Sequence, residues 1–493
     1  MTNNDKKTNR NITSQSDNQI DSTLQQHLQQ LLTDLQLDDA PAGGSVVVYQ
    51  ADRCIAQASV GAARLDTSWQ PDTLAINFST GKGVLATLVH VLVSQQVLDY
   101  DTPVANYWSA FAAQGKGNIT LRQVMSHQAN LFSIQSIDVD SEGLLDWTLM
   151  LSKIAAMPIT APEDAESYDS AYSALIYGWV LGGVIEAATD MSLAKALRHY
   201  LTEPLGIADS CYFGVPDSNV EQVARLVKDF EVANEDGSPL RNKRHKPTLK
   251  VDSQNTLQTY ASLPSYSCWQ QRVEQQPLTT PSAKNNSHYQ SQSDFNNDND
   301  TDTGIQNEVE SDECKPVTLN TAQINSLYFD ASSLNLKNYK AALVPANKKP
   351  IDYHRRESLQ AIIPAANGVA SAQALATMYA MLANGGEWQG QVLIDSETFE
   401  QLSSPQLMGA DAVMPAHMNW RLGYHRLFSV CADASLGFGH MGYNGSVAWC
   451  DPTRQLSFAF VHNFDATMLN DVRQFALTEA VLDFITTNDS GYQ

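Results

Sequence analysis

Positive charge is scarce in this sequence. Its 493 residues include 31 Lys and Arg against 54 Asp and Glu, which gives a formal net charge of −23. Nucleic acids are bound through clustered cationic side chains, so this balance argues against a nucleic-acid partner. The chain also lacks an apolar run of the roughly 18 to 20 residues that span a bilayer, and its polar start lacks the apolar stretch of a secretion signal. We therefore expect a soluble cytoplasmic protein without a membrane partner.

Closely spaced cysteines are also absent. None of the six cysteines forms a C-x-x-C pair or another metal-ligand spacing. They are Cys54, Cys211, Cys268, Cys314, Cys431 and Cys450. This scatter is typical of reduced, unremarkable thiols, so we expect no metal site and no bound cofactor.

What the sequence does have is enough apolar material for a large core, with 43% hydrophobic and only 17% charged residues. Alternating, β-prone segments lie near both ends, and helical periodicity dominates between them. We expect an α+β fold, in which N- and C-terminal segments build an antiparallel sheet flanked by helices, with a mostly helical domain inserted between them. An active cleft would lie between the two parts.

Composition also suggests where these parts begin and end. Between about residues 236 and 324 the chain becomes rich in Asn, Asp, Gln, Ser and Thr, with too little apolar area to offset chain entropy. We therefore assign residues 1–20 to a disordered tail, 21–120 and 325–490 to the sheet domain, 121–235 to the helical domain, and 236–324 to a disordered polar insertion.

Local patterns predict individual elements within these parts. The predicted helices are Leu24–Leu35, one beginning near Ser79, Ser371–Asn384 and Leu469–Phe484. The predicted strands are Ser45–Tyr49, Cys54–Val60, Leu422–Phe428, Val447–Cys450 and Leu456–Val461.

A candidate nucleophile must come from outside the α/β-hydrolase pattern, because the sequence contains no G-x-S-x-G. Two S-x-x-K segments exist, Ser79 with Lys82 and Ser192 with Lys195. At a helix start such a pair lies on one face, where an uncharged amine can accept the hydroxyl proton. Ser192 precedes an apolar helical segment and is interpreted as an N-cap. Ser79 is therefore the candidate nucleophile.

Two further segments carry groups suited to acyl transfer. Tyr168-Asp-Ser170 precedes a strongly apolar helix, and a phenol next to an ammonium group can act as a base. His440-Met-Gly442 lies on a predicted strand ahead of Tyr443, and glycine there permits a ligand to approach backbone N–H donors. Either segment alone is more often structural than catalytic, so their common order with Ser79 matters more.

That order resembles a known family. S-x-x-K near the start, Y-x-S about ninety residues later and H-x-G close to the end are similar to the motifs of the serine β-lactamase and penicillin-binding-protein superfamily. The flanking segments 119–127 (ITLRQVMSH) and 203–207 (EPLGI) also resemble landmarks of these proteins. The resemblance covers about residues 40–230 and 325–485, and it is greatest to the class C β-lactamase-like esterases, the family VIII carboxylesterases.

The resemblance implies a role for each candidate. Ser79 would be acylated, Lys82 and Tyr168 would share the acid and base roles, and the backbone N–H groups of Ser79 and Tyr443 would form an oxyanion hole. His440, Gly442 and Ser170 would contact the substrate. The order in which Lys82 and Tyr168 take the proton stays open. The implied activity is hydrolysis of small carboxylic esters of short acyl chains through an acyl-enzyme.

Two departures from the family pattern bear on the substrate. His440 stands where β-lactamases usually carry a Lys that binds the substrate carboxylate, and Ser170 stands where the middle motif usually has Asn. Both favour ester hydrolysis over good β-lactamase activity. The alternatives are a D-amino-acid peptidase or amidase, a weak β-lactamase, and a catalytically silent scaffold of the same fold.

Overall fold

The computed structural model describes residues 21–36, 42–227, 254–276, 318–346, 351–465 and 467–490. The expected tail, residues 1–20, lies outside these ranges. In chain order the strands are β1 (Gly44–Gln50), β2 (Arg53–Val60), β3 (Ala62–Arg64), β4 (Thr67–Ser68), β5 (Ala75–Phe78), β6 (Cys211–Tyr212), β7 (Gly368–Ala370), β8 (Glu387–Trp388), β9 (Gln391–Val392), β10 (His425–Arg426), β11 (Phe438–Met441), β12 (Val447–Asp451) and β13 (Leu456–His462).

The α-helices alternate with several short 3-10 turns. They are α1 (Ser22–Asp34), α2 (Gly81–Ser94), α3 (Val104–Tyr107), α4 (Leu121–Met125), α5 (Trp147–Ala156), α6 (Ile176–Thr189), α7 (Leu193–Leu197), α8 (Gln254–Ser262), α9 (Tyr266–Gln275), α10 (Thr321–Asn325), α11 (Leu336–Leu343), α12 (Arg356–Gln360), α13 (Ala372–Ala383), α14 (Ser396–Ser403) and α15 (Arg473–Ser490). No helix of the described ranges is both long and apolar enough to cross a membrane.

The main sheet has six antiparallel strands in the order β10-β11-β12-β13-β1-β2. The first strand of the chain pairs with the last, from Gly44 opposite His462 to Gln50 opposite Leu456. The expected α+β architecture, with a sheet built from both ends of the chain, is therefore confirmed. The predicted hairpins 45–60 and 447–461 form β1–β2 and β12–β13.

Helices cover both faces of this sheet. Along β1, Val47 packs into the core that contains α2, α6 and α13, whereas Val46 and Val48 pack into the core that contains α1 and α15. Successive side chains of a strand point to opposite faces, so a strand buried on both faces reads as an uninterrupted apolar run. The fold thus buries α2, and its N-terminal end lies at the candidate nucleophile.

Two predicted elements have different bounds in the structure from those the sequence indicated. The segment 422–428 forms only the two-residue strand β10, because Gly423 has φ +85° and the chain turns there, with the Arg421 N–H donating to the Tyr424 carbonyl. The closing helix begins at Arg473, after Asp471, whose carboxylate accepts from the Arg473 N–H.

Part of the expected disordered insertion is folded. Within 236–324 the structure describes α8, α9 and α10, and the Trp269 ring is fully buried with its indole N–H 2.9 Å from the Tyr328 hydroxyl oxygen. The average composition of this region is polar, but a few large aromatic side chains provide enough buried apolar area to fold part of it. Residues 228–253 and 277–317 of this region lie outside the described residues.

One cysteine pair also differs from the expectation of reduced thiols. Cys268 on α9 forms a disulfide with Cys431, with the Cα atoms 5.9 Å apart and a sequence separation of 163. That Cα separation is ordinary for a disulfide. Cys54, Cys211 and Cys450 are free, and Cys314 lies outside the described residues. Two cysteines so far apart in sequence form no recognisable motif, so the sequence did not predict that they pair.

Candidate active site

Ser79 lies in the two-residue turn between β5 and α2. The preceding Phe78 has φ +50°, a left-handed conformation that is uncommon for a bulky residue and typical of sharp turns at functional sites. The next residue, Thr80, donates its hydroxyl hydrogen to the Ser446 carbonyl 2.9 Å away. This bond joins the turn to the end of the main sheet, so the Ser79 hydroxyl is held at a fixed point.

Lys82 lies one helical turn after Ser79 and reaches back to it. Its Nζ atom is 2.8 Å from Ser79 Oγ, 2.7 Å from the Ala174 carbonyl oxygen and 2.8 Å from the Ala365 carbonyl oxygen. The side chain is fully buried, and none of the ion pairs of the described residues involves it.

Burial without a compensating carboxylate lowers the pKa of Lys82 well below its usual value. Lys82 Nζ donates to Ser79 Oγ and to both carbonyl oxygens, and the Ser79 hydroxyl can donate to the Ala365 carbonyl oxygen 3.2 Å away. In its uncharged form the amine keeps two hydrogens for the carbonyls and has one lone pair for the Ser79 hydroxyl, and this form can accept the hydroxyl proton.

The second S-x-x-K segment has a different environment. Ser192 occupies the N-cap position of α7, as expected, although its side chain makes no capping hydrogen bond. Lys195 is exposed to solvent. This pair therefore lacks the buried surroundings of Ser79 and Lys82.

The phenol beside Ser79 belongs to Tyr172. Its side chain hydrogen-bonds Ser79, and the Lys82 Nζ atom lies 5.0 Å from the centre of its ring. The ring stacks on Trp420, with centroids 5.4 Å apart and an 8° angle between the planes. Burial raises the pKa of Tyr172, whereas the hydrogen bond with Ser79 acts in the opposite direction. The phenol is therefore held in its protonated form.

The structure does not bring Tyr168 into this group. Tyr168 is half-buried at the side of the core that contains α1 and α15, and it lines neither cavity at Ser79. Tyr168-Asp-Ser170 matches the Y-x-S pattern, whereas Tyr172-Ser-Ala174 ends in alanine. Tyr172 lies closer than Tyr168 to the start of α6, and this is the sequence feature that could have pointed to it.

Ser170 has a structural partner in place of a substrate. Its hydroxyl donates to Asp411 Oδ2 at 2.6 Å. The same buried carboxylate accepts from the N–H groups of Tyr172, Val413 and Met414 and from the indole N–H of Trp420. Asp411 therefore fixes both the Tyr172 backbone and the ring on which Tyr172 stacks. Sequence reasoning missed it, since no motif marks one acidic residue among 54.

The third expected segment lies directly against the nucleophile turn. A Cβ atom on Gly442 would approach the Asn77 carbonyl oxygen to 2.4 Å and Thr80 Oγ1 to 3.0 Å, so only glycine allows this contact. Within the described part of the chain, the N–H groups of Ser79 and Tyr443 donate to no protein acceptor. Both remain available to a substrate oxygen.

His440 is neutral and presents an acceptor. Its Nδ1–H donates to the Met441 carbonyl at 2.9 Å, and its buried Nε2 has no hydrogen-bond partner among the described residues. Burial lowers the pKa of His440 well below its usual value, and the nearby His425 and Lys82 act in the same direction. His425 is also neutral, because burial lowers its pKa to about 4. His440 therefore supplies no cation to a substrate carboxylate.

Two cavities meet at Ser79. The smaller has a volume of about 30 Å³ and is lined by Ser79, Tyr172, Tyr339, Leu343, Met414, Met418, Trp420, His425, His440, Met441, Tyr443 and Met468. The larger has a volume of about 480 Å³ and is lined by Phe78, Ser79, Ala174, Leu175, Leu226, Tyr339, Leu343, Val344, Pro345, Ile351, Asp352, Tyr353, His354, Ala366, Tyr443 and Asp465. Neither described lining contains a Lys or an Arg. No group of three metal-ligating side chains occurs among the described residues.

A serine hydroxyl in contact with a buried lysine amine, held at the edge of a sheet, is an arrangement typical of a serine hydrolase. Comparison with known proteins identifies the family to which the chain belongs. The family model described as Beta-lactamase matches residues 23–482, so the chain belongs to the beta-lactamase family.

Individual relatives agree with this assignment. The esterase/beta-lactamase LipL of Mycobacterium tuberculosis is 28% identical over 425 residues, which are 85% of this chain and 77% of LipL. A penicillin-binding protein homolog from Caulobacter crescentus is 25% identical, with a TM-score of 0.65 over 94% of this chain and 98% of its own. A family VIII carboxylesterase has the same TM-score and coverage at 20% identity, and at that identity it shows the fold alone.

Proposed function

We propose that this chain hydrolyses uncharged carboxylic esters through an acyl-enzyme on Ser79. The observation that carries the proposal is the 2.8 Å contact between Ser79 Oγ and the fully buried Lys82 Nζ, which has no acidic partner among the described residues. Lys82 accepts the hydroxyl proton as Ser79 Oγ bonds to the ester carbonyl carbon. The N–H groups of Ser79 and Tyr443 stabilise the resulting oxyanion.

Collapse of the tetrahedral intermediate breaks the bond to the leaving oxygen, which must gain a proton. Tyr172 is the donor, since its raised pKa keeps the phenol protonated and its hydroxyl lies at Ser79. The Lys82 ammonium returns its proton to the phenolate by way of a water, because the acylated serine oxygen carries no proton to relay. In the second half, water attacks the acyl-enzyme from the position of the leaving oxygen, and the same groups move the proton in reverse. The opposite pKa shifts of Lys82 and Tyr172 support Lys82 as the first base.

The lack of Lys and Arg in the described cavity linings supports esters over β-lactams. A β-lactam carboxylate needs a cation, and the position that would supply it holds the neutral His440. Loss of one charge-assisted contact is worth about 1.5 to 3 kcal/mol, or roughly ten- to a hundredfold in selectivity. Short acyl chains and a cytoplasmic location remain predictions from the sequence, as does the amidase alternative.

Substrate choice tests the proposal directly. We expect kcat/KM for ethyl butyrate, followed by proton release, to exceed that for a chromogenic cephalosporin by at least about tenfold. His440→Lys is the matched variant, because an ammonium group in the cavity is expected to narrow this ratio. A cephalosporin that is the better substrate of the native protein would overturn the esterase assignment in favour of a β-lactamase.

A further inference from the structure

The two cavities at Ser79 differ in the groups that line them, and this difference bears on which half of an ester each one receives. Ser79 and Tyr443 line both cavities, so the reacting carbonyl lies where the cavities meet. Tyr172 lines only the smaller one. Lys82 lines neither, since its contacts to Ser79, Ala174 and Ala365 occupy its amine.

A general acid must lie within hydrogen-bond reach of the atom that it protonates. Of the groups proposed to move protons, only the Tyr172 phenol faces a cavity, so the leaving oxygen must enter the smaller one. His440, whose buried Nε2 has no partner among the described residues, also lines this space. A donor hydroxyl and a neutral acceptor suit a leaving oxygen first and the attacking water afterwards.

The size of each cavity then limits each half of the substrate. A volume of about 30 Å³ holds a water molecule or a group of one or two heavy atoms. The larger cavity, at about 480 Å³, lies within the range of pockets that enclose whole small molecules, and its wall is mainly aliphatic and aromatic. The acidic side chains on that wall are Asp352 and Asp465, and Asp465 Oδ2 lies 3.3 Å from His354 Nε2, so an anionic chain is disfavoured.

We propose that the preferred substrates are esters that join a bulky, uncharged, apolar acyl group to a small alcohol. The acyl group occupies the larger cavity, and the alcohol leaves through the smaller one. This inference rests on the proposed ester hydrolysis and revises the expectation of short acyl chains.

Two isomeric esters test this assignment, because they exchange the bulky group between the two sides of the carbonyl. Methyl phenylbutanoate carries the phenyl group on the acyl side, and phenylpropyl acetate carries it on the alcohol side. We expect kcat/KM, measured by proton release, to be at least about tenfold higher for methyl phenylbutanoate. Equal rates, or a preference for phenylpropyl acetate, would overturn the assignment and leave ester hydrolysis standing. Failure of both isomers while ethyl acetate is cleaved would also overturn it, and failure of every ester would remove the proposed function as well.

A cavity-filling variant provides an independent check. Val344 lines only the larger cavity, so Val344→Trp should lower the ratio of kcat/KM for methyl phenylbutanoate to that for methyl acetate by about fivefold or more. Val392→Trp, on the exposed strand β9, is the matched control and should leave the ratio unchanged. Leu226→Phe serves in its place if Val344→Trp fails to fold. An unchanged ratio in a folded cavity variant would contradict the acyl assignment.

Discussion

Tyr172→Phe is expected to lower kcat/KM for ethyl butyrate by about 10²- to 10⁴-fold, which is the usual contribution of a positioned acid or base. The variant removes only the hydroxyl group that hydrogen-bonds Ser79. The ring that stacks on Trp420 remains, so the loss should appear in catalysis with little change in the free energy of unfolding.

Tyr168→Phe is the matched control, because it removes the same atom from a half-buried ring that lies outside both cavities. We expect its kcat/KM to stay within about threefold of the native value, in the range of ordinary surface changes. Steady-state rates of both variants, with thermal unfolding to confirm the fold, make the comparison. A large loss in Tyr168→Phe together with a mild one in Tyr172→Phe would restore the role that the Y-x-S motif suggested.

Ser79→Ala is expected to reduce ester hydrolysis by about 10⁴-fold or more, because the covalent route is lost altogether. Folding should tolerate the change, since Thr80 and Gly442 still hold the turn against the sheet. The measurement is kcat/KM for ethyl butyrate at high enzyme concentration, so that the residual rate can be determined.

Ser192→Ala tests whether the S-x-x-K spacing alone creates activity. Its hydroxyl makes no capping bond, and Lys195 is exposed, so near-native kinetics and stability are expected. Comparable activity in native protein and Ser79→Ala would eliminate the serine mechanism. A severe loss in Ser192→Ala would mean that the second serine has a role absent from the structure.

Much of the fold could be predicted from local pattern. Leu24, Leu28 and Leu31 recur at helical spacing after Asp21, and the structure buries them on α1 while the Asp21 carboxylate caps the helix. The β1–β2 and β12–β13 hairpins follow from β-prone runs separated by turn residues. These helix and hairpin patterns can be recognised in the sequence because each depends only on residues that are close together in the chain.

Features that depend on contacts between residues far apart in sequence could not be predicted from local pattern. Pairing of Cys268 with Cys431 and burial of Trp269 against Tyr328 join segments far apart in the chain. Average composition predicted disorder for a region whose few aromatic residues are enough to anchor α8 and α9. Length and composition therefore described this insertion less well than any other part of the structure.

The candidate site likewise combines a contact that local sequence predicts with contacts that depend on distant residues. Ser79 and Lys82 are one helical turn apart, so their contact followed from spacing alone. The choice between Tyr168 and Tyr172 required knowing which residue packs on Trp420 and faces Ser79. Asp411 lies about 240 residues from Tyr172 and becomes visible only as the shared acceptor of five hydrogen bonds.

Mass spectrometry after treatment with a fluorophosphonate tests most directly whether Ser79 is the acylated nucleophile. The intact protein should gain the mass of one adduct, and peptide mapping should place it on Ser79, because the buried amine of Lys82 activates that hydroxyl. Ser79→Ala should remain unlabelled under the same conditions, whereas Ser192→Ala should label like the native protein. An adduct on another residue, or a native protein that hydrolyses esters without forming one, would contradict the account.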